Sequence, residues 1–459
     1  MRSRQKVLLK IAVDNTIGYM YSFAELLIEA LLLAKQIRIF FTDEQYAYDQ
    51  YDSSIALLRS YTLNGRDENL GAVLSRLPLM SELLNTTANT YIYRSFHISG
   101  RRISLINQKL DSDGISVRIV KLMTDFKALL IQLSRKNVFI GPRDARPNDD
   151  SRAAFANARI NYGVMKQTGN YVSNVMSHAS SSTLATVDIS KFFDSMTLLK
   201  MMDKALFLNA FKININYDAL KYISQRYEYS WNELEEKLNV LNSMYLTLIP
   251  FFLHNGKIPT GMVYSTHLSN YLFSPIDKKI ENKLRGISKN GIFVRHTRYI
   301  DDITISSNRA MNDSGYVINI DLIKDIEEIV NEFGFYLKYE KTRIYGVNDT
   351  KIVHGVSFGG ITNQTKSINS DEKYALAKEI EALGISKSPL SLSIIGKLAA
   401  IDNINSYQYA YCLSHYFMHT KFVHMANVGT YEYRLHIQNE IIFRGAFYDI
   451  HVKPVLGRK

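Results

Sequence analysis

The sequence predicts an α+β fold, because long segments with apolar residues at helical spacing alternate with short runs rich in β-branched and aromatic residues. Helical patterns cover most of residues 1–88, residues 115–135 and 196–253, and the stretch from about 368 to 425, whereas the tyrosine-rich residues 46–65 show no clear pattern. Two segments instead predict β-hairpins: YIYRSFHI and RRISLI around a glycine-centred turn, and residues 291–307. The segment FYLKYEKTRIYGV predicts the start of a strand, and residues 137–150 predict a loop. Together these observations predict helices packed around antiparallel sheets.

Composition excludes several classes of protein. With 459 residues, of which 46% are hydrophobic and 22% charged, the chain has the balance of a folded soluble protein with a large core. Its single cysteine, Cys412, excludes a disulfide framework and any zinc or iron–sulfur site built from several cysteines. We therefore expect a reducing compartment, the cytoplasm.

The charge balance favours a phosphate-bearing partner. The 55 Lys and Arg residues outnumber the 44 Asp and Glu residues by 11, which suits nucleic acid or an anionic membrane, with a generic basic surface as the alternative. No membrane-spanning segment is expected, because Glu25, Glu29 and Lys35 interrupt the most apolar stretch, residues 23–41. That stretch predicts an amphipathic helix packed on the protein.

Two apolar, β-rich runs end in carboxylates. Residues 187–194, VDISKFFD, contain Asp188, and the run RYIDDITI contains Asp301 and Asp302. Adjacent aspartates at a hairpin turn repel each other, and a divalent cation would relieve that repulsion. Oxygen ligands on strands suit Mg²⁺, with substrate phosphates completing the shell, and two such ions support phosphoryl transfer. The alternative is a solvated turn, the usual meaning of two adjacent aspartates in isolation.

These segments resemble the sequence boxes of reverse transcriptases. Residues 299–302, YIDD, resemble the family's Y-x-D-D box, and residues 187–194 resemble its first aspartate box. Four further boxes follow the family's order, covering roughly residues 90–420: residues 256–261 with Ser265, Leu268, Ser269 and Asn270, then residues 334–342, 354–358 and 394–398.

The resemblance implies a right-hand polymerase of α+β class. It implies a helical N-terminal extension over residues 1–88, fingers and an antiparallel palm sheet over 89–365, and a helical thumb and C-terminal segment over 366–459. The implied reaction is addition of dNTPs to a 3′-hydroxyl on an RNA template, with Mg²⁺ as cofactor and DNA as product.

The resemblance also implies roles for the acidic residues and one lysine. Asp188 and Asp301 would bridge two metal ions, with Asp302 beside them, and Ile189 would offer its backbone carbonyl to the second ion. Lys341 would lie near the leaving pyrophosphate as a proton donor or charge stabiliser. The alternative for this lysine is a salt bridge to Glu340 or another nearby acid.

Other matched positions would contact the substrate. Phe193, five residues after Asp188, would lie under the sugar and reject a 2′-hydroxyl, with core packing as the alternative. Gly261 would let the backbone approach the nucleotide. Arg101 and Arg102 would hold the triphosphate, because arginine binds phosphate oxygens in pairs. Competing candidates for that role lie near a proline-rich loop: Lys136, Arg143 and Arg146.

Departures from the family pattern indicate the subgroup. Thr260 stands where many members have glutamine, Thr266 where they have proline, and the upstream boxes of many retron enzymes are not recognisable. The chain is most similar to bacterial unknown-group and defence-associated, abortive-infection-like reverse transcriptases, and more distantly to retron and group II intron enzymes. This implies antiphage defence, a dedicated structured non-coding RNA and a possible oligomer.

Three alternatives stay open at this point. One is a template-independent or protein-primed DNA polymerase of abortive-infection type. Another is a non-catalytic RNA-binding scaffold, against which the intact Asp188, Asp301 and Lys341 argue. The third is a nucleotide cyclase with a palm domain, which would lack the thumb-like segment.

Overall fold

The computed structural model gives the chain a helical N-terminal region, a central antiparallel sheet flanked by helices, and a C-terminal group of helices. The fold is therefore of the predicted α+β class. The structure describes residues 2–42, 48–64, 70–98, 101–111, 114–134, 171–201, 204–215, 217–224, 228–312, 315–359, 367–368 and 370–420.

Three helices form the N-terminal region: α1 (Arg2–Phe41), α2 (Tyr48–Asn64) and α3 (Leu70–Thr87). By length and composition, the stretch Val7–Phe41 of α1 is apolar enough to cross a membrane, yet 61% of its most apolar window is buried inside the fold. Phe23, Leu27 and Leu31 show no exposed surface. Here α1 packs as a core helix, chiefly against the later helix Glu228–Leu248.

The first hairpin lies where the sequence predicts it. Strands β1 (Tyr93–Ile98) and β2 (Arg101–Ile106) pair antiparallel along their full length. Helix α4 (Ile115–Leu133) follows and buries one face, as its apolar spacing predicts. The loop predicted over residues 137–150, with the candidates Lys136, Arg143 and Arg146, lies outside the described residues.

The central sheet has the strand order β4–β5–β3–β8, with every neighbouring pair antiparallel. Its strands are β3 (Thr183–Asp188), β4 (Val294–Tyr299), β5 (Asp302–Ser307) and β8 (Arg343–Tyr345). The prediction that a strand starts within the segment FYLKYEKTRIYGV was right only for β8. Residues Tyr339–Lys341 form a helical turn instead, closed by backbone bonds such as that from Lys341 N–H to the Lys338 carbonyl.

Helices and a small hairpin, β6 (Met311–Asn312) with β7 (Gly315–Tyr316), accompany this sheet. Except for Tyr171–His178, whose Val175 belongs to a smaller cluster with Leu184 and Val356, these helices join one hydrophobic core that reaches from α1 to the sheet. These helices are α5 (Tyr171–His178), α6 (Phe192–Ser195), α7 (Leu198–Met201), α8 (Lys204–Asn214), α9 (Tyr217–Ser224), α10 (Glu228–Leu248), α11 (Ser265–Ile287) and α12 (Ile320–Asn331).

Another hairpin and three helices follow. Strands β9 (Lys351–Val353) and β10 (Val356–Phe358) pair antiparallel, and β11 (Ser367–Ile368) joins the far side of β10. Helices α13 (Ser370–Ile385), α14 (Leu392–Ile404) and α15 (Ser406–Thr420) have a hydrophobic cluster of their own. The helical pattern predicted after residue 368 is therefore present up to Thr420.

Candidate active site

The three predicted aspartates meet at one edge of the central sheet. Asp188 ends β3 and is the direct cross-strand partner of Asp302, which begins β5. Asp301 lies in the two-residue turn between β4 and β5. The amide of Ile189 donates to the Asp301 carbonyl over 3.0 Å, which fixes the turn against the end of β3. Two segments more than 100 positions apart in sequence thus build one acidic edge.

Lys341 forms an ion pair with one of these carboxylates. Its Nζ donates to Asp188 Oδ2 over 2.7 Å, and this bond raises the pKa of the lysine. The salt-bridge alternative is therefore present, but the partner is Asp188, while Glu340 lies 4.0 Å from Lys338. The pKa of Asp301 is raised, first by burial and then by the charges of Asp302 and Asp188. The site carries more negative charge than one lysine offsets.

This charge balance and donor set fit a divalent cation. Within the described ranges, no group of three or more His, Cys, Asp or Glu side chains is arranged to hold a metal ion by itself. Mg²⁺ seldom needs such a cage, since it is bound through one or two carboxylates plus substrate phosphates. The Lys341 ammonium already occupies a cation's position at Asp188. The carboxylates therefore fit ions that take their remaining ligands from the substrate.

The backbone carbonyl of Ile189 lies beside this edge. Ile189 forms an isolated antiparallel bridge with Leu337, and the two hydrogen bonds of that bridge run from Ser190 N–H to the Tyr336 carbonyl and from Lys338 N–H to the Asp188 carbonyl. The bridge therefore does not use the Ile189 carbonyl, which is the group expected to contact an ion.

The two phenylalanines after Asp188 occupy different environments. Phe192 is buried, and its ring packs against the rings of Phe273 and Phe335 at centroid distances of 5.6 and 6.1 Å. Phe193 is only partly buried and touches the core through Phe192, 5.5 Å away. Packing therefore accounts for Phe192 and leaves part of Phe193 accessible.

Gly261 lies in the loop before α11, against the first hairpin. Its φ is +101°, and a Cβ there would lie 3.3 Å from Cγ2 of Ile103. The amide of Ser104 also donates to the Thr260 carbonyl over 3.1 Å. The close approach that the structure shows at this glycine is thus to strand β2. Arg101 and Arg102 begin β2, opposite Ile98 and His97 of β1.

A family model described as reverse transcriptase (RNA-dependent DNA polymerase) matches residues 154–386, just over half of the chain. The chain belongs to the reverse transcriptase family. Members of this family are nucleotidyltransferases that act as RNA-directed DNA polymerases and depend on divalent metal ions. The predicted enzyme class and fold are confirmed at this level.

Two solved telomerase structures match this reverse transcriptase chain. Telomerase from Candida albicans, in complex with a TWJ fragment of telomeric RNA, is 13% identical, with a TM-score of 0.37 over 76% of this chain and 58% of its own. Apo telomerase from Candida tropicalis is 10% identical, with a TM-score of 0.37 over 76% of this chain and 61% of its own. This chain thus spans about three-fifths of either protein. No curated protein matches it.

The sequence analysis missed a buried arginine that supports the YIDD turn of this reverse transcriptase. Arg298 is fully buried and forms an ion pair with Asp277 of α11 at 2.7 Å. Its Nη1 donates to the Asn270 side chain over 2.8 Å and to the Ile300 carbonyl over 2.7 Å. The pairing was not visible in sequence, although an arginine within an apolar strand and Asp277 within a buried helix face were the available signals.

Ile300 needs that support because its backbone is strained. Its φ is +62°, at the first central position of a two-residue hairpin turn, where glycine is favoured in type II′ turns. For a β-branched residue this conformation costs of order 1–3 kcal/mol. The guanidinium of Arg298 holds the Ile300 carbonyl and so keeps the turn that carries Asp301 in one conformation.

Proposed function

We propose that this protein is an RNA-directed DNA polymerase that adds dNTPs to a 3′-hydroxyl at the edge formed by Asp188, Asp301 and Asp302. One observation carries the proposal: three segments bring three carboxylates and the Lys341 ammonium together at the end of an antiparallel sheet. A solvated surface turn would not raise the pKa of Asp301 by burial or place Asp188 at 6% exposure.

In this proposal each residue has a definite task. Asp188 and Asp301 hold two Mg²⁺ ions, with Asp302 beside them and the Ile189 carbonyl as a further ligand. When bound, the ions supply activation of the 3′-hydroxyl and stabilisation of the leaving oxygen. Lys341 stabilises the charge that develops on the pyrophosphate, as a preorganised donor does in phosphoryl transfer.

The substrate side of the site is proposed from the same residues. The accessible part of Phe193 meets the sugar and excludes a 2′-hydroxyl. Gly261 keeps the loop before α11 closely packed on β2, next to the nucleotide. Arg101 and Arg102 hold the triphosphate from the start of that strand.

We propose the division of the chain on the same basis. Residues 1–88 form the helical extension, 89–365 the fingers and palm, and 366–459 the thumb and C-terminal segment. The net charge of +11 supports binding of an RNA template and its DNA product along the fold.

The biological role that we propose is bacterial antiphage defence in the cytoplasm, with a dedicated structured non-coding RNA as template. The order of the sequence boxes supports the reverse transcriptase assignment, and the departures at Thr260 and Thr266 support the defence-associated subgroup. Thr260 also keeps open a template-independent or protein-primed reaction.

Sequencing the nucleic acid that co-purifies with the protein, together with the DNA it makes from dNTPs, tests the proposal. We expect one enriched RNA and a DNA complementary to part of it. DNA unrelated to any bound RNA indicates untemplated synthesis, and DNA covalently attached to the protein indicates protein priming. Bound RNA without any DNA synthesis indicates a scaffold and contradicts the proposal.

A further inference from the structure

His354 connects the β9–β10 hairpin to the catalytic edge. It occupies the turn between β9 and β10, with φ +50°, and its side chain is 10% exposed. Its Nδ1 lies 3.4 Å from Oδ2 of Asp302, and its ring packs against the Tyr299 ring at a centroid distance of 5.0 Å. A residue 52 positions after Asp302 in the chain thus contacts the YIDD box at both ends.

The other ring nitrogen of His354 is held by a buried amide. Asn174, on α5, has no exposed surface, and its Nδ2 lies 2.8 Å from Nε2 of His354. An amide NH₂ group only donates, so Nε2 accepts. The neutral ring therefore carries its proton on Nδ1, the nitrogen that faces Asp302.

The orientation of Asn174 is itself determined by the sheet. Its Oδ1 accepts a hydrogen bond from the Thr297 hydroxyl on β4. Because the Thr297 hydroxyl donates its hydrogen to Asn174, its oxygen accepts a hydrogen bond from Nε2 of His178, which lies 2.7 Å away. Burial, aided by the charge of Arg295, lowers the pKa of His178 to about 3, so the ring is neutral. Its Nδ1 then accepts from the Ser306 hydroxyl on β5, over 2.6 Å.

These buried side chains form a chain of hydrogen bonds in which every donor points in the same direction. The donors run from Ser306 through His178, Thr297 and Asn174 to the ring of His354, and the last N–H faces the Asp302 carboxylate. We propose that His354 is a positioning residue that holds Asp302 for catalysis, and that the buried chain fixes which ring nitrogen it presents. This inference rests on the proposed function, which places Asp302 in the active site.

Residues that contact the ligands of a metal site fix the orientation of those ligands, and His354 would do this for Asp302. A carboxylate that faces a fixed N–H group has fewer favourable orientations, so less order is lost when an ion binds, and losing such a partner typically costs about 10–100-fold in metal affinity or activity. The 44% exposure of the Asp302 side chain means that packing alone leaves it free to rotate. The hairpin β9–β10 thereby becomes part of the assembly of the site.

Substitutions at position 354 separate positioning from folding. In His354→Asn, the side-chain amide can donate from near the place of Nδ1, and asparagine tolerates a positive φ. His354→Ala removes the donor. Asn290→Ala is the matched control for alanine at positive φ, since Asn290 is exposed and has φ +53°. A second pair, Thr297→Val and Thr297→Ser, breaks or keeps the buried chain without touching Asp302.

The measurement is Mn²⁺ binding to the full-length protein without substrates, followed by electron paramagnetic resonance, with melting temperatures as the folding control. We expect His354→Ala to weaken Mn²⁺ binding about tenfold or more, and His354→Asn to recover most of that loss. Thr297→Val should weaken binding by more than Thr297→Ser. In primer extension, kcat should fall with the Mn²⁺ affinity, while KM for dNTP changes much less.

Two results would overturn the inference. One is equal Mn²⁺ affinity in folded wild type and His354→Ala, and the other is an asparagine variant no better than the alanine variant. Equal binding by the two Thr297 variants would remove the buried chain from the account. If wild type itself makes no DNA, the proposed function fails, and the Mn²⁺ titrations still decide the role of His354.

Discussion

Lys341 donates a hydrogen bond from Nζ to Oδ2 of Asp188 over 2.7 Å, and it does so from a side chain that is 57% exposed. The ammonium offsets part of the charge of three neighbouring carboxylates, yet it competes for the same oxygen with any cation that binds there. An exposed lysine of this kind contributes only about 0–1 kcal/mol to stability. We expect its main contribution in catalysis, where it stabilises the negative charge of the leaving pyrophosphate.

Replacing Lys341 with methionine should therefore separate metal binding from catalysis. Without the competing ammonium, Mn²⁺ should bind more tightly in the absence of dNTP, whereas kcat should fall by about 10²–10³, the usual loss when one preorganised donor is removed. Lys338→Met is the matched control, because Lys338 faces Glu340 and leaves Asp188 untouched. Full kcat in the Lys341 variant would remove this lysine from the mechanism.

Asp301→Asn should stabilise the fold while it abolishes DNA synthesis. The pKa of Asp301 is raised, chiefly by burial, so the folded state binds the proton more tightly than the unfolded chain. Above the usual aspartate pKa of 3.8, ionisation of Asp301 therefore destabilises the folded state, whereas asparagine does not ionise and avoids this loss. With chelator present, the variant should melt at a higher temperature than wild type at pH 7. The difference should shrink as the pH falls through the raised pKa of Asp301 towards 3.8. A lower melting temperature at pH 7 would contradict the electrostatic account of this site.

Phe193→Ala should relax selection against ribonucleotides. The side chain is only partly buried, so truncation opens space under the sugar and leaves the carboxylates in place. The ratio of rNTP to dNTP incorporation should rise, with little loss of melting temperature. Phe192→Ala is the control, since it removes a buried ring and should cost about 3–5 kcal/mol without changing the ratio. An unchanged ratio in folded Phe193→Ala would make this residue a packing residue.

Substitution of the two side-chain partners of Arg298 should lower the stability of the fold by different amounts. Asp277→Asn leaves a buried guanidinium without its countercharge and should cost about 3–5 kcal/mol. Asn270→Ala removes one hydrogen bond to a charged group and should cost about 1.5–3 kcal/mol. Because both changes loosen the turn at Ile300, DNA synthesis should fall in folded protein. Urea unfolding measures the free energy of unfolding of each variant. A larger loss of stability in Asn270→Ala than in Asp277→Asn would contradict this account.

The parts of the structure that depend on local sequence were predictable. The first hairpin, the YIDD hairpin and helix α4 follow from spacing and turn residues within short segments. Helix α2 was not predicted, because its sequence is rich in tyrosine and polar residues and lacks a clear apolar period. Its helical character depends on burial of scattered positions such as Tyr51, Ser54 and Leu58 against neighbouring helices.

Contacts between distant segments were the part that sequence did not reveal. Lys341 pairs with Asp188, 153 positions away, and Asn174 meets His354, 180 positions away. Such pairs depend on how strands are ordered in the sheet, which residue types alone do not specify. Gly261 shows the same limit, since its close packing on Ile103 of the distant strand β2 was not predicted.

Primer extension on an RNA template, with wild type beside the Asp301→Asn/Asp302→Asn double variant, tests the central claim most directly. Both proteins should have cooperative melting transitions and bind the template–primer duplex. Wild type should extend the primer with dNTPs in the sequence complementary to the template, and only when Mg²⁺ is present. The double variant should incorporate nothing measurable, since it loses the charge that holds the ions. Equal incorporation by the two proteins would contradict the assignment of the active site to these aspartates.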